Sequence, residues 1–164
     1  MLNNLNSNYF NPNYRTAFSG LKGADLMSNS FHYLVMAEHS MFQKDLQARL
    51  KGSGLTIGQP KILDYLKDHD GAEQKDIARG CHIEPGTLTS LLNRMEESGL
   101  VERRMLNGNR RSFFIFLTEK GQRQLELVTR AFKEIEEKAF RGIPEADRER
   151  FMDMFSCIYE NTMS

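Results

Sequence analysis

The candidate functional residues of this sequence lie close together along the chain, and their types favour binding to another molecule over catalysis. One group lies on a single side of a predicted helix and consists of small or hydrogen-bonding residues, namely Gly86, Thr87, Thr89, Ser90, Asn93 and Arg94. The other side of that helix has the spacing of a core-facing stripe, with Leu88, Leu91, Leu92 and Met95. Short polar side chains can approach base edges and phosphates closely, so the pattern favours nucleic-acid contact over a merely exposed polar helix.

A second group of candidate residues follows directly and supplies positive charge. Arg103 and Arg104 end one predicted strand, Arg110 and Arg111 precede another, and no acidic residue interrupts residues 103–111. The Asn107-Gly108-Asn109 segment between the strands predicts a β-hairpin. Arginines on such a hairpin suit the narrow minor groove of DNA, although an exposed hairpin that keeps arginines for solubility is the alternative.

The overall composition limits the classes of protein that remain. The 164 residues carry 22 basic and 22 acidic side chains, so any nucleic-acid surface must be local. No apolar run approaches the ~20 residues of a membrane span, and the N-terminus does not resemble a signal peptide. Two cysteines, Cys81 and Cys157, are too few for a disulfide framework. We therefore expect a cytoplasmic protein with no membrane association, cofactor or metal.

The predicted elements are helices, then a hairpin, then helices. The predicted helices span about residues 25–51, 59–68, 74–79 and 85–98, with Thr118 capping a fifth and Pro144 opening a sixth. The predicted strands span residues 100–104 and 112–117. Residues 1–24 are rich in asparagine and are expected to form a loosely ordered arm.

This order predicts a mainly α fold with a small β-hairpin wing. Two helices joined by a short turn and followed by a hairpin form a winged helix-turn-helix, whose second helix enters the major groove. We assign residues 25–57 to a first dimerisation helix, residues 58–118 to the winged helix-turn-helix, and residues 119–164 to C-terminal dimerisation helices.

Three motifs in this region resemble the MarR family of transcription regulators. They are Ala-Glu-Gln-Lys-Asp-Ile-Ala at residues 72–78, the recognition helix and first wing strand at residues 87–103, and the closing strand at residues 112–121, ending Leu-Thr-Glu-Lys-Gly. The family's wing usually carries Asp-x-Arg, where this chain has Asn109, Arg110 and Arg111. Arg111 can take the DNA role, but Asn109 cannot form the charged pair, so we expect a less rigidly posed wing.

The resemblance implies a homodimer, a palindromic duplex as its partner and, in many members, release of DNA by a small aromatic or anionic effector. Large apolar residues in the terminal helices independently favour a partner subunit, although they could also fill a monomer core; they are Phe132, Phe140, Phe151, Met154, Phe155 and Tyr159. Candidate effector contacts cluster on the first helix, where they are His32, Tyr33, Met36 and His39. A structural role for these histidines is the alternative.

Three other functions compete with DNA binding. Cys81 beside His82 could sense metal or oxidants, although Cys81 also fits a small buried residue. Enzymatic activity is disfavoured because the sequence lacks a phosphate loop, a zinc-protease histidine pair and a nucleophile elbow. A winged helix that binds protein instead of DNA remains the serious alternative, although the polar helix face lacks the apolar anchors that protein partners generally need.

Overall fold

A computed structural model describes residues 30–105 and 113–163 of the chain. Its elements are α1 (Phe31–Arg49), α2 (Gln59–Asp68), β1 (Ala72–Glu73), α3 (Gln74–Gly80), α4 (Pro85–Glu97), β2 (Val101–Arg104), β3 (Phe114–Leu117), α5 (Glu119–Ala139) and α6 (Glu145–Met163). This order confirms the predicted fold class. The predicted arm at residues 1–24 and the predicted turn at residues 107–109 lie outside the described residues.

One compact unit, Glu38–Ile135, contains the hydrophobic core. Ile62, Leu63 and Leu66 of α2 are fully buried there, as are Leu88 and Leu92 of α4. These leucines and isoleucines recur at helical spacing, so each helix turns one apolar face inward and leaves its other face in water. The core therefore fixes the orientation of α4 about its own axis.

The sheet has three strands, where the sequence predicted only a hairpin. The strand order is β1-β3-β2, and both pairings are antiparallel. In register, Ala72 faces Ile115 and Arg103 faces the same residue from the other side. No strand was predicted at residues 72–73, because two residues are too short to display the alternation of a strand.

The predicted start of the first helix also differs from the structure. The first helix was expected to start near Asp25, but the described part begins it at Phe31, with the Ser30 carbonyl accepting from the Leu34 amide. Residues 25–29 lie outside the described residues. In α5 the buried residues include Leu125, Val128, Ala131 and Ile135, whereas Ala139 at the end of the helix is exposed.

The entry to α5 is fixed by Thr118 and Gly121. The Thr118 hydroxyl accepts a hydrogen bond from the Gly121 amide at 3.0 Å and donates to the Gly99 carbonyl at 2.6 Å. This confirms the predicted N-cap. A Cβ atom at Gly121 would lie 2.0 Å from the Leu100 carbonyl oxygen, so the helix approaches this backbone more closely than any other residue type permits.

The second compact unit comprises residues 30–37 and 136–163 of the described chain. Its aromatic rings contact one another, since Phe151 packs edge-on to Phe140 at 5.8 Å and stacks on Phe155 at 5.5 Å. No residue of α6 is buried. Among the described helices, none is both long and apolar enough to cross a membrane.

Candidate nucleic-acid interface

Helix α4 is held by a local cap at its start and by the core along its length. The Glu84 side chain accepts a hydrogen bond from the Thr87 amide at 3.0 Å, and Pro85 occupies the first turn. Pro85 lacks an N–H that would be unsatisfied at this position, which suits it to a helix start. Because Leu88, Leu92 and Met95 are completely buried, the opposite side of α4 faces outward.

All six residues predicted on that outward side of α4 are exposed; they are Gly86, Thr87, Thr89, Ser90, Asn93 and Arg94. Two hydroxyls donate to their own helix, Thr89 to the Pro85 carbonyl and Ser90 to the Gly86 carbonyl. The Arg94 Nε atom donates to the Ser90 carbonyl at 3.3 Å. Within the described part of the chain, the terminal nitrogens of Arg94 meet no carboxylate, so they can reach a phosphate or a base.

Gln74, the first residue of α3, also belongs to this surface. Its amide nitrogen donates to the Thr89 hydroxyl at 2.6 Å, which joins the two helices of the helix-turn-helix. Sequence reasoning missed this residue, although glutamine at the start of the first helix of the motif was a visible signal.

Arg103 of β2 is bound to α4 rather than directed into solvent. Its Nη1 atom lies 2.6 Å from Glu96 Oε2, and its backbone amide donates to Glu96 Oε1 at 3.2 Å. Its Nη2 atom donates to Asn93 Oδ1 at 2.7 Å. The sequence pattern predicts Arg103 as a DNA-contacting arginine because no acidic residue interrupts residues 103–111. The structure brings Glu96 to it from a different element.

Arg104 remains exposed at the end of β2 but is also held by protein groups. It forms an ion pair with Glu102, and its guanidinium lies 4.5 Å from the centre of the Phe116 ring. The other predicted wing residues, Asn109, Arg110 and Arg111, lie outside the described residues. Helices α3 and α4 with the β2-β3 pair define a winged helix-turn-helix protein.

The Cys81 side chain is unsuited to sensing. It is 1 % exposed, and burial raises the pKa of its thiol from 9.0 to about 11. A thiol that stays protonated at neutral pH is a poor nucleophile and a poor metal ligand. Among the described residues, no group of three or more His, Cys, Asp and Glu side chains could hold a metal ion.

None of the predicted effector contacts lines the cleft that the structure describes. His32, Tyr33, Met36 and His39 are all exposed on α1. An open cleft of about 520 Å³ lies instead on the Glu38–Ile135 unit, and its lining includes Arg49, Lys51, Gln124, Leu127 and Arg130. The Gln124 Oε1 atom is buried there without a hydrogen-bond partner in the described residues.

Known proteins share both this domain and its architecture. Residues 55–113 match the model of the MarR family. The HTH-type transcriptional repressor IacR of Pseudomonas putida is 22 % identical over 129 residues, which cover 79 % of this chain and 77 % of that protein. The organic hydroperoxide resistance transcriptional regulator of Bacillus subtilis is 30 % identical over 95 residues, which cover 58 % of this chain and 65 % of that protein.

A solved structure extends the likeness beyond the motif. The S. aureus MepR-DNA complex matches with a TM-score of 0.72 and 28 % identity, over 82 % of this chain and 99 % of that one. Residues 55–113 therefore form a MarR-family domain, and the fold of the chain is similar to that of MarR-family winged helix-turn-helix transcriptional regulators. Its relatives are named as regulators and not as enzymes.

Proposed function

We propose that this protein is a cytoplasmic, ligand-responsive transcription repressor that binds palindromic duplex DNA as a homodimer. Helix α4 lies in the major groove, and the wing arginines, including Arg104, Arg110 and Arg111, lie along the backbone and in the minor groove. The observation that carries this proposal is the exposed face of α4, which consists of small and polar residues. The other face of the helix is buried in the hydrophobic core. The repressor and DNA-complex relatives point the same way.

The DNA-binding proposal is tested by fluorescence anisotropy with the intergenic DNA upstream of the protein's own gene, over a series of salt concentrations. We expect tight binding that requires a palindrome and weakens steeply with salt. Arg94→Ala and Arg111→Ala should each weaken binding, and each should flatten the salt dependence of log K by about 0.9 if the side chain contacts one phosphate. Arg123→Ala is the matched control, because Arg123 is an exposed arginine that belongs to α5 and not to α4 or the predicted wing.

A folded dimer that fails to bind this DNA at low salt, and fails again with a random duplex library, contradicts the proposal. The protein-interaction alternative would then be preferred.

The homodimer rests on apolar surface left uncovered in one chain. Phe151, Phe155 and Tyr159 of α6 are 45 %, 41 % and 51 % exposed. Exposed apolar patches of this kind mark interaction sites, and a two-fold partner would cover them with the same residues of a second copy. The two-fold axis then places two copies of α4 about one helical turn of DNA apart, ~10 base pairs.

Regulation by a small anionic molecule is the remaining part of the proposal. The cleft of about 520 Å³ falls within the usual size of ligand sites. Arg49 in its lining is paired with Glu134, and Lys51 and Arg130 supply the further positive charge. Isothermal titration with salicylate and other aromatic acids should give a binding heat. Loss of that heat in Arg130→Ala assigns the effector to the cleft, whereas loss in His39→Ala assigns it to the predicted α1 cluster. Silence across the panel contradicts an aromatic-acid effector.

A further inference from the structure

The Arg103 guanidinium is committed to protein partners on two sides. Only 17 % of its side chain is exposed, and it is shared between the Glu96 carboxylate and the Asn93 amide oxygen. A guanidinium that turned outward to meet DNA would leave Glu96 without its ion pair beside the phosphates, where its charge is unfavourable. The energetics therefore favour an Arg103 that stays where it is when DNA binds.

This arrangement fixes the orientation of the Asn93 amide. The Arg103 Nη2 atom can only donate a hydrogen bond, so the atom of Asn93 that faces it at 2.7 Å must be the oxygen Oδ1. The amide nitrogen Nδ2 points the other way, and within the described residues it has no hydrogen-bond partner. Asn93 is exposed on the outward side of α4, so it offers DNA two N–H donors, while its Oδ1 atom is engaged by Arg103.

A side chain that only donates cannot read every base equally. Asparagine recognises adenine through a pair of hydrogen bonds, one accepted from N6 and one donated to N7, and the first needs a free Oδ1. Guanine presents two neighbouring acceptors, N7 and O6, in the major groove. Two N–H donors match guanine and leave the adenine amino group unpaired.

We propose that Arg103 is a positioning residue that holds Asn93 as a pure hydrogen-bond donor, so that the base facing Asn93 is read as guanine. This inference rests on the proposed DNA binding and names its specificity at one position. Arg103 acts through Asn93 and makes no phosphate contact of its own.

The test compares base preferences selected from a random duplex library by wild type, Asn93→Ala and Arg103→Met. Asn93→Ala identifies the base-pair position that Asn93 contacts, because the preference for guanine should disappear there in this variant. There the wild type should prefer guanine over adenine by about 10-fold. Arg103→Met frees Oδ1 and should reduce that ratio to about 2-fold or less, while preferences elsewhere stay unchanged. The Glu96 carboxylate left unpaired beside the phosphates should weaken binding to every sequence alike.

Two further variants serve as a control and as a substitute for Arg103→Met. Arg123→Met on α5 makes the same chemical change outside this network and should behave as wild type. Asn93→Asp serves if Arg103→Met does not fold, because a carboxylate offers only acceptors and should abolish the guanine preference without disturbing the Arg103 contact.

Distinct results overturn the two proposals. A wild type that binds no duplex at all overturns the proposed function and this inference with it. A wild type that binds duplex DNA, but whose guanine preference is unaffected by Asn93→Ala or survives in Arg103→Met, overturns the inference alone.

Discussion

The two compact units of the described chain differ in how far their apolar side chains are buried. In the Glu38–Ile135 unit, α2, α4 and the first part of α5 bury their stripes against one another. In the unit formed by residues 30–37 and 136–163, the large apolar residues of α6 stay exposed, and no α6 residue is buried. Apolar residues at helical spacing therefore form a closed core in one unit and an exposed surface in the other, where we propose that a second copy packs.

Leu92→Ala should give the largest effect, because this side chain is completely buried in the closed core. We expect a loss of about 2–5 kcal/mol in the free energy of unfolding, through lost burial and the cavity left behind. Urea unfolding at two protein concentrations measures it, and the loss should be the same at both. Leu127→Ala, at a residue that is 40 % exposed, is the control and should change stability by about 0.5 kcal/mol or less.

Phe155→Ala should act on association and not on the core. Removing a large anchor from a subunit interface typically costs about 2 kcal/mol or more, which raises the dimer Kd by roughly 30-fold. Sedimentation equilibrium measures this, with the exposed Glu149→Ala on the same helix as control. A dimer of unchanged affinity would remove α6 from the interface and weaken the contrast between the units.

Thr118→Ala should have a smaller effect, confined to the start of α5. The hydroxyl satisfies the Gly121 amide and binds the Gly99 carbonyl, and loss of such a cap costs about 1 kcal/mol. Urea unfolding beside the exposed Thr56→Ala measures the difference. An equal result for the two threonines would mean that the cap contributes nothing.

Substitution of the cysteines should have the smallest effect on stability at neutral pH. The reactivity of their thiols should nevertheless differ between the two units. Cys157 is exposed and Cys81 is buried, so a thiol reagent at pH 8 should label one site in the native protein and two in urea. Burial holds the pKa of Cys81 near 11 in the fold, against 9.0 when unburied. The folded form retains a proton that the unfolded chain loses, so stability relative to Cys81→Ala should fall as pH rises from 9 to 11. Equal labelling of both native cysteines contradicts this assignment.

Much of the fold could be predicted because its signals are local. The bounds of α2 matched, and those of α4 differed by one residue, since Pro85, Gly99 and the leucine spacing lie within the helix or beside it. Strand β1 could not be predicted, because its partner β3 lies far along the chain and two residues carry no pattern. Long-range pairing of this kind depends on the assembled fold.

The candidate site shows the same limit. The outward residues of α4 were predicted from helical spacing alone, and each is exposed. The ion pair between Arg103 and Glu96 was not predicted, because the two residues lie on different elements and their contact depends on how α4 and β2 pack. Gln74 was missed for the same reason, since its partner Thr89 belongs to the next helix.

The close approach of Gly121 to the Leu100 carbonyl has a consequence for how this segment can vary. In a library that randomises residues 121–123 and is selected only for folded protein, position 121 should return glycine almost without exception. Gln122 and Arg123, which are exposed, should return nearly any helix-forming residue. The Leu100 carbonyl oxygen alone would then limit which residues this segment tolerates. A diversified wing could be grafted next to α5 provided that Gly121 is kept.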